Sequence, residues 1–290
     1  MSGKIKNGIE LSKQSWDALR QNRQLFAFPI ISMVMSTLIW ILLIIPLVGI
    51  AQPILETGEV MADQVWIGLG IILLGYLAVS IILIFSNTAL VGVSKVLIEG
   101  GEATIGDGIR IAFSHFGKII KYALITATVG VVARLLIRFG SKSDNFIVLL
   151  LSTLLGSTIA AMWSLAVFFV IPVMVYEILS VKDALKRSIE IFGKTWGEGF
   201  TGDVAIGGIS CLMVFVILIV GCGLMAVGVV NNLLILIILG FLVVVLGISL
   251  SNLIYGAMNG VFQTSLYFYA VSGNAGPFIN TEMAQEAFLS

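Results

Sequence analysis

Histidine occurs once in the 290 residues, cysteine twice and proline five times, and charged side chains make up only 11% of the chain. Each shortage closes a class of function. The single imidazole, His115, has no HxxxH partner and no neighbouring carboxylate pair, so neither a metal cluster nor an acid–base dyad can be assembled around it. Cys211 and Cys222 lie eleven residues apart in one apolar stretch, roughly 16 Å along a helix and beyond the reach of a disulfide. They are expected to face lipid or to pack. Sixteen basic residues balance 16 acidic ones, which leaves no net positive field to hold nucleic acid. Soluble domains carry about 25% charged residues. A chain with less than half of that lacks the polar surface of a water-soluble enzyme.

What is present is apolar: 59% of residues are hydrophobic and the mean hydropathy is +1.10. A helix needs roughly 20 apolar residues to cross about 30 Å of hydrocarbon, and six apolar runs, five of them uncharged, approach or exceed that length: Leu25 to Ile50, Val65 to Ser94, Tyr122 to Ile137, Phe146 to Tyr176, Val204 to Val230 and Leu233 to Val271. The predicted fold class is all-α, a polytopic transmembrane helical bundle of six spans. The first run far exceeds the apolar core of a cleaved signal and reads as a span. The third is the shortest and carries Arg134 near its far end, where a long side chain can snorkel. The second, fourth and sixth are long enough to require tilt, a kink or protrusion, and Pro172 supplies a reason for a kink in the fourth. The sixth could be two short spans hinged at Ser251-Asn252. One long helix is expected instead, because residues 247–256 hold neither charge nor proline to make an exposed turn.

Orientation follows from where Lys and Arg fall. Thirteen basic residues lie before span one or in the loops after spans two and four. Only Arg134, Arg138 and Lys142 fall on the other side, and the first loop on that side carries Glu56, Glu59 and Asp63 with no basic residue. Both termini are therefore expected in the cytoplasm.

The segments preceding the odd-numbered spans share a pattern. Ile5-Lys6-Asn7-Gly8-Ile9 aligns with Ile105-Gly106-Asp107-Gly108-Ile109 and with Val181-Lys182-Asp183-Ala184-Leu185. Further on, Ser12 aligns with Ala112 and Ser188, and Trp16 with Phe116 and Phe192. Each copy reads as a helix with Asn or Asp as N-cap, an apolar face with an aromatic and a Lys-bearing polar face. Such helices either lie on the membrane surface or pack on their neighbours. The chain is thus expected to be a single membrane domain over 1–290, built from repeats at about 4–100, 101–179 and 180–273, each a surface helix plus two spans, with a polar tail at 274–290.

Phe85-Ser86-Asn87-Thr88-Ala89-Leu90, Trp163-Ser164-Leu165-Ala166 with Val170-Ile171-Pro172-Val173, and Ala184-Leu185-Lys186-Arg187-Ser188 with Thr195-Trp196-Gly197-Glu198 carry a resemblance. In these segments the chain resembles a prokaryotic group of uncharacterised six-span membrane proteins, itself distantly similar to the membrane domain fused to some glycerophosphodiester phosphodiesterases. The resemblance implies an architecture and a place in the cytoplasmic membrane of a prokaryote. It brings no catalytic residues, since the chain has no phosphodiesterase-like carboxylate and histidine cluster.

Two sets of residues stand out. Lys118, Lys121, Lys182, Lys186, Arg187 and Lys194 lie where they would meet lipid headgroups. Ser86, Asn87, Ser251, Asn252, Asn259 and Gln263 lie in the long return helices, where an unpaired polar group in lipid is costly, so they are expected to face protein. Gly256 and Gly260 form a GxxxG spacing suited to close helix approach. No catalytic residue, cofactor, metal or nucleic acid is expected. Membrane lipids, anionic ones included, are the expected partners, with an unidentified protein or a second copy of the chain beside them. The expected role is a non-enzymatic membrane component that organises lipid or a partner protein. A transporter or channel for a small neutral or amphipathic solute is the alternative.

Overall fold

The computed structural model describes residues 2–57, 61–142, 145–194, 199–231 and 233–281, with side chains at 2–9, 11, 53–57, 194 and 199–206 outside the description. Among the described residues the protein is all helical. The order is α1 (Ser2–Gln21), a 3-10 turn (Arg23–Phe26), α2 (Ala27–Thr57), α3 (Ala62–Ile98), α4 (Ile105–Ser114), α5 (Phe116–Ser141), α6 (Phe146–Val167), α7 (Val170–Tyr176), α8 (Val181–Lys194), α9 (Gly199–Val230) and α10 (Leu234–Ser272).

Six helical segments are long and apolar enough to cross a membrane: Arg23–Gln52, Ala62–Ile98, Phe116–Ser141, Phe146–Tyr176, Gly207–Val230 and Leu234–Ser272. These coincide with the six runs of the sequence. The last is one continuous helix of 39 residues, so the hinge at Ser251-Asn252 does not form. The fourth is broken where Pro172 requires it. Proline has no N–H to give to the carbonyl four residues back, and its ring collides with that carbonyl. The helix accordingly stops at Val167, and Phe169 leaves helical geometry at φ −103°, ψ 7° before α7 begins.

The chain divides into two compact units. One comprises Met1–Ile30, Leu90–Gly108 and Gly193–Ser290. Its centre is the α9–α10 hairpin, where the backbones come close because neither helix carries a side chain at the crossing. A Cβ on Gly240 would meet the Gly221 carbonyl at 2.5 Å and the Met225 nitrogen at 2.9 Å. Further along the same pair, the hydroxyls of Ser210 and Ser251 share a hydrogen bond of 3.3 Å. Beyond α10 the chain packs back on α1, with the Asn280 N–H donating to Gln14 Oε1 at 2.8 Å. The two ends of the described chain therefore meet on one side, as an even number of spans requires.

The other unit comprises Ile31–Ala89 and Ile109–Phe192. Here α5 and α6 pair through Gly156, whose missing side chain leaves room for the Ala133 carbonyl at 2.8 Å from a built Cβ. The Asn145 side chain caps α6 by accepting from the Ile147 N–H at 2.9 Å. Gly130 on α5 gives space to the Tyr76 hydroxyl of α3, and the Arg134 guanidinium lies over the Tyr76 ring at 5.3 Å.

Candidate functional site

The turn from α7 into α8 gathers most of the candidate basic residues. It begins with a conformational anomaly. Ile178 has φ +55°, the left-handed region that a β-branched side chain avoids and that glycine ordinarily fills at a helix C-terminus. Glycines do fill it after the other two return helices, Gly100 at φ +82° after α3 and Gly273 at φ +75° after α10. At the α7 end an isoleucine takes the strain, and its side chain is 71% exposed.

Two contacts hold the turn. Lys118 Nζ donates to the Ile178 carbonyl at 2.9 Å, and Arg187 Nε donates to Glu177 Oε1 at 3.1 Å while its Nη1 lies 3.6 Å from Glu190 Oε2. The hydrogen bond from Arg187 to Glu177 holds its guanidinium above the usual arginine range, so the cation persists at every pH a bilayer tolerates. Lys118 and Arg187, both expected to touch headgroups, are thus engaged as a clasp.

Lys121, Lys182 and Lys186 are exposed and make no ion pair among the described residues. The nearby carboxylates are otherwise committed: Asp183 Oδ2 accepts from the Ser180 hydroxyl at 2.6 Å, and Glu190 faces Arg187. The side chain of Lys194, and residues 195–198, lie outside the described residues. Along α8, Lys182, Lys186 and Ile189 follow one another at i, i+4 and i+7 on one exposed stripe, with Ile189 51% exposed. Val181, Ala184, Ser188 and Ile191 are buried on the other side. Phe192 meets Phe168 and Phe169 at ring distances of 5.9 and 6.5 Å. The apolar side of α8 thus packs against protein. Its exposed side offers two lysines followed by Ile189.

The aligned positions of the three segments share surroundings, although Phe116 already belongs to α5. Ser12, Ala112 and Ser188 are all buried. Trp16, Phe116 and Phe192 each make an aromatic contact, Trp16 with Phe26 at 5.9 Å and Phe116 with Phe85 at 6.4 Å. The caps differ from the sequence reading. Asp107 and Asp183 are not the N-caps; Thr104 and Ser180 are, three residues earlier. The hydroxyl of Thr104 donates to Asp107 Oδ2 at 2.7 Å, and Asp107 returns its own N–H to that hydroxyl at 3.2 Å. Ser180 and Asp183 repeat the arrangement. The carboxylate reaches back from the third helical position, a capping box in which aspartate takes the usual place of glutamate. Asn7 is not an N-cap either, because α1 begins at Ser2 and carries Asn7 within it; the Asn7 side chain lies outside the described residues.

The intramembrane polar set is split. Ser86 and Ser251 are buried, Asn259 and Gln263 are partly buried, and Asn87 and Asn252 are exposed. The expectation that all six face protein is corrected for Asn87 and Asn252. Each follows a buried serine directly, and successive residues on a helix point about 100° apart. One member of each pair therefore turns outward. Asn259 Oδ1 is buried without a hydrogen-bond partner. Cys211 and Cys222 are exposed. His115 sits between α4 and α5, with Nδ1 2.8 Å from the Ile111 carbonyl oxygen at the end of α4. That position suits a helix terminus.

The model of a family of unknown function, DUF6159, matches residues 66–278, well over half of the chain. The chain belongs to DUF6159. No curated protein matches it. The DUF6159 match takes in the clasp, both capping boxes and the three left-handed helix ends, and it omits α1 and α2. DUF6159 thus gives the protein a family, and what its site does rests on the chemistry of the residues themselves.

Proposed function

We propose that this DUF6159 protein is a non-enzymatic component of a prokaryotic cytoplasmic membrane that organises anionic lipid, or a partner carried on such lipid, at its cytoplasmic face. The observation that carries the reading is the exposed stripe of α8. Lysines at a membrane surface attract anionic headgroups, and the exposed Ile189 on the stripe and Ile178 in the turn before it match the acyl boundary just beneath. The clasp supports it by spending Lys118 and Arg187 on the shape of the turn, so that Lys182 and Lys186 stay free.

Three repeats, each a short surface helix and two spans, are part of the same proposal. They are supported by the buried triplet Ser12, Ala112 and Ser188, by the aligned aromatic contacts and by the recurring left-handed residue after each return helix. Cytoplasmic termini are supported by the distribution of Lys and Arg. The distant kinship with the membrane domain of glycerophosphodiester phosphodiesterases belongs to the proposal too, as architecture alone.

The test is retention of phosphatidylglycerol by the purified protein in native mass spectra as salt is raised. Replacing Lys182 and Lys186 by Gln, with Arg187 intact, is expected to weaken retention about thirtyfold, since each basic residue near the surface contributes about 1 kcal/mol. Unchanged retention with the folded state preserved would refute the reading. A specific neutral solute carried through purification would favour transport instead.

A further inference from the structure

The opposite end of α5 carries a second set of cations that the clasp does not involve. Arg134, Arg138 and Lys142 succeed one another at i, i+4 and i+8, so they form a ladder along one side of the helix. All three are exposed, and none makes an ion pair among the described residues. Arg134 lies thirteen residues beyond Lys121 on the same helix, about 20 Å at 1.5 Å per residue. Measured across about 30 Å of hydrocarbon, it sits in the far third, beneath the opposite interface. A guanidinium at that depth is costly unless it snorkels to the interface or an anion reaches it.

Tyr76 determines how Arg134 is held. The guanidinium carbon of Arg134 lies over the Tyr76 ring at 5.3 Å from its centroid, and Gly130 on α5 makes room for the tyrosine hydroxyl. A guanidinium held against a ring face by the cation–π attraction still has its planar fork of N–H donors, two of which a phosphate can accept at once. Arg138 and Lys142 then continue the positive charge toward the headgroup level within about 12 Å of helix length.

We propose that Arg134, Arg138 and Lys142 form a binding site for the phosphate of an anionic phospholipid in the leaflet opposite the clasp, with Tyr76 as the positioning residue for Arg134. The depth of Arg134 selects a lipid over a dissolved anion, because a phosphate reaches it only when its acyl chains already lie in the bilayer. The accumulated charge selects an anionic headgroup over a zwitterionic one, whose ammonium group the upper two cations would repel.

The test uses the full chain in native mass spectrometry, titrated in parallel with phosphatidylglycerol and phosphatidylcholine of the same acyl composition. The triple variant Arg134→Gln, Arg138→Gln, Lys142→Gln is expected to bind phosphatidylglycerol about tenfold or more weakly, with phosphatidylcholine unaffected. Tyr76→Leu is expected to lower phosphatidylglycerol affinity severalfold, while Tyr76→Phe, which keeps the ring face, leaves it unchanged. If the triple variant fails to fold, Arg138→Gln with Lys142→Gln replaces it and is expected to show a partial loss. Undiminished phosphatidylglycerol binding in whichever folded variant is measured overturns the proposal, and so does an equal loss for both lipids. Thermal protection of the wild-type protein by inorganic phosphate, absent in the variant, would show a free-anion site and overturn the lipid assignment. Lys182→Gln with Lys186→Gln, measured alongside, keeps the two leaflets distinguishable.

Discussion

The backbone N–H of Phe169 donates to Ser188 Oγ across 3.0 Å, and both residues are buried. The bond joins the break in the fourth span to the middle of α8. Near the break that Pro172 imposes, the hydroxyl of a residue nineteen positions later accepts the Phe169 N–H. Ser188→Ala removes that hydrogen bond, at a cost of about 0.5–1.5 kcal/mol. Steric disruption is not the cause, because Ala112 fills the aligned position in α4 and is itself buried. Thermal unfolding in detergent should show a lower midpoint for Ser188→Ala, and an unchanged midpoint would mean the bond contributes nothing net.

Gly240 and Gly256 lie on the same helix with different surroundings. A side chain at Gly240 meets backbone of α9, whereas one at Gly256 meets nothing within 4 Å. Gly240→Val is therefore expected to destabilise the hairpin by about 1–3 kcal/mol through overpacking. Gly256→Ala should be neutral or slightly stabilising, since it removes backbone freedom from the unfolded chain. The comparison is read from melting of the two variants, and a larger loss at Gly256 would contradict the packing described.

Relief of strain at Ile178 gives a prediction of opposite sign. A β-branched residue in the left-handed region costs about 1–2 kcal/mol relative to glycine, so Ile178→Gly should raise the unfolding midpoint. The same substitution removes the exposed apolar side chain in the turn before the lysine stripe. If that side chain enters the bilayer, Ile178→Gly also weakens lipid retention while stabilising the fold. Weaker retention accompanied by a lower midpoint would point to general damage.

Sidedness is open to direct chemical labelling. With Cys211 and Cys222 replaced, single cysteines at Glu59 and Lys186 should report opposite faces. An impermeant thiol reagent applied to intact cells is expected to label the first and spare the second. The reverse pattern would invert the orientation drawn from the Lys and Arg distribution.

The six spans were legible because hydrocarbon thickness demands a fixed length of apolar helix, and no tertiary contact can waive it. The break before α7 was legible for a similar reason, since Pro172 acts through covalent geometry. Features that depend on a distant partner were not. GxxxG spacing drew attention to Gly256 and Gly260, and of these Gly260 does admit a neighbour, Leu90 of α3 at 2.7 Å from a built Cβ, but the tight backbone approach of Gly221 and Gly240, one glycine from each helix of a hairpin, has no short spacing to mark it. Lys118 reaches a carbonyl sixty residues away, and nothing in Tyr176-Glu177-Ile178 announces a left-handed isoleucine. The capping boxes could have been found: Thr104 and Ser180 stand three residues before Asp107 and Asp183, a spacing that marks the helix start earlier than the aspartates do.

The interruption at Phe168 and Phe169 also bears on bilayers of differing thickness. A continuous helix of 31 residues would have to lean as a rigid rod to hide its surplus length, dragging its end with it. Divided at this point, α6 is no longer one rod with α7, which is tied at both ends to α8, through Phe169 to Ser188 and through Glu177 to Arg187. A change in the slope of α6, made together with α5 on which it packs at Gly156, is thus not carried along a single rigid axis to the lysine stripe.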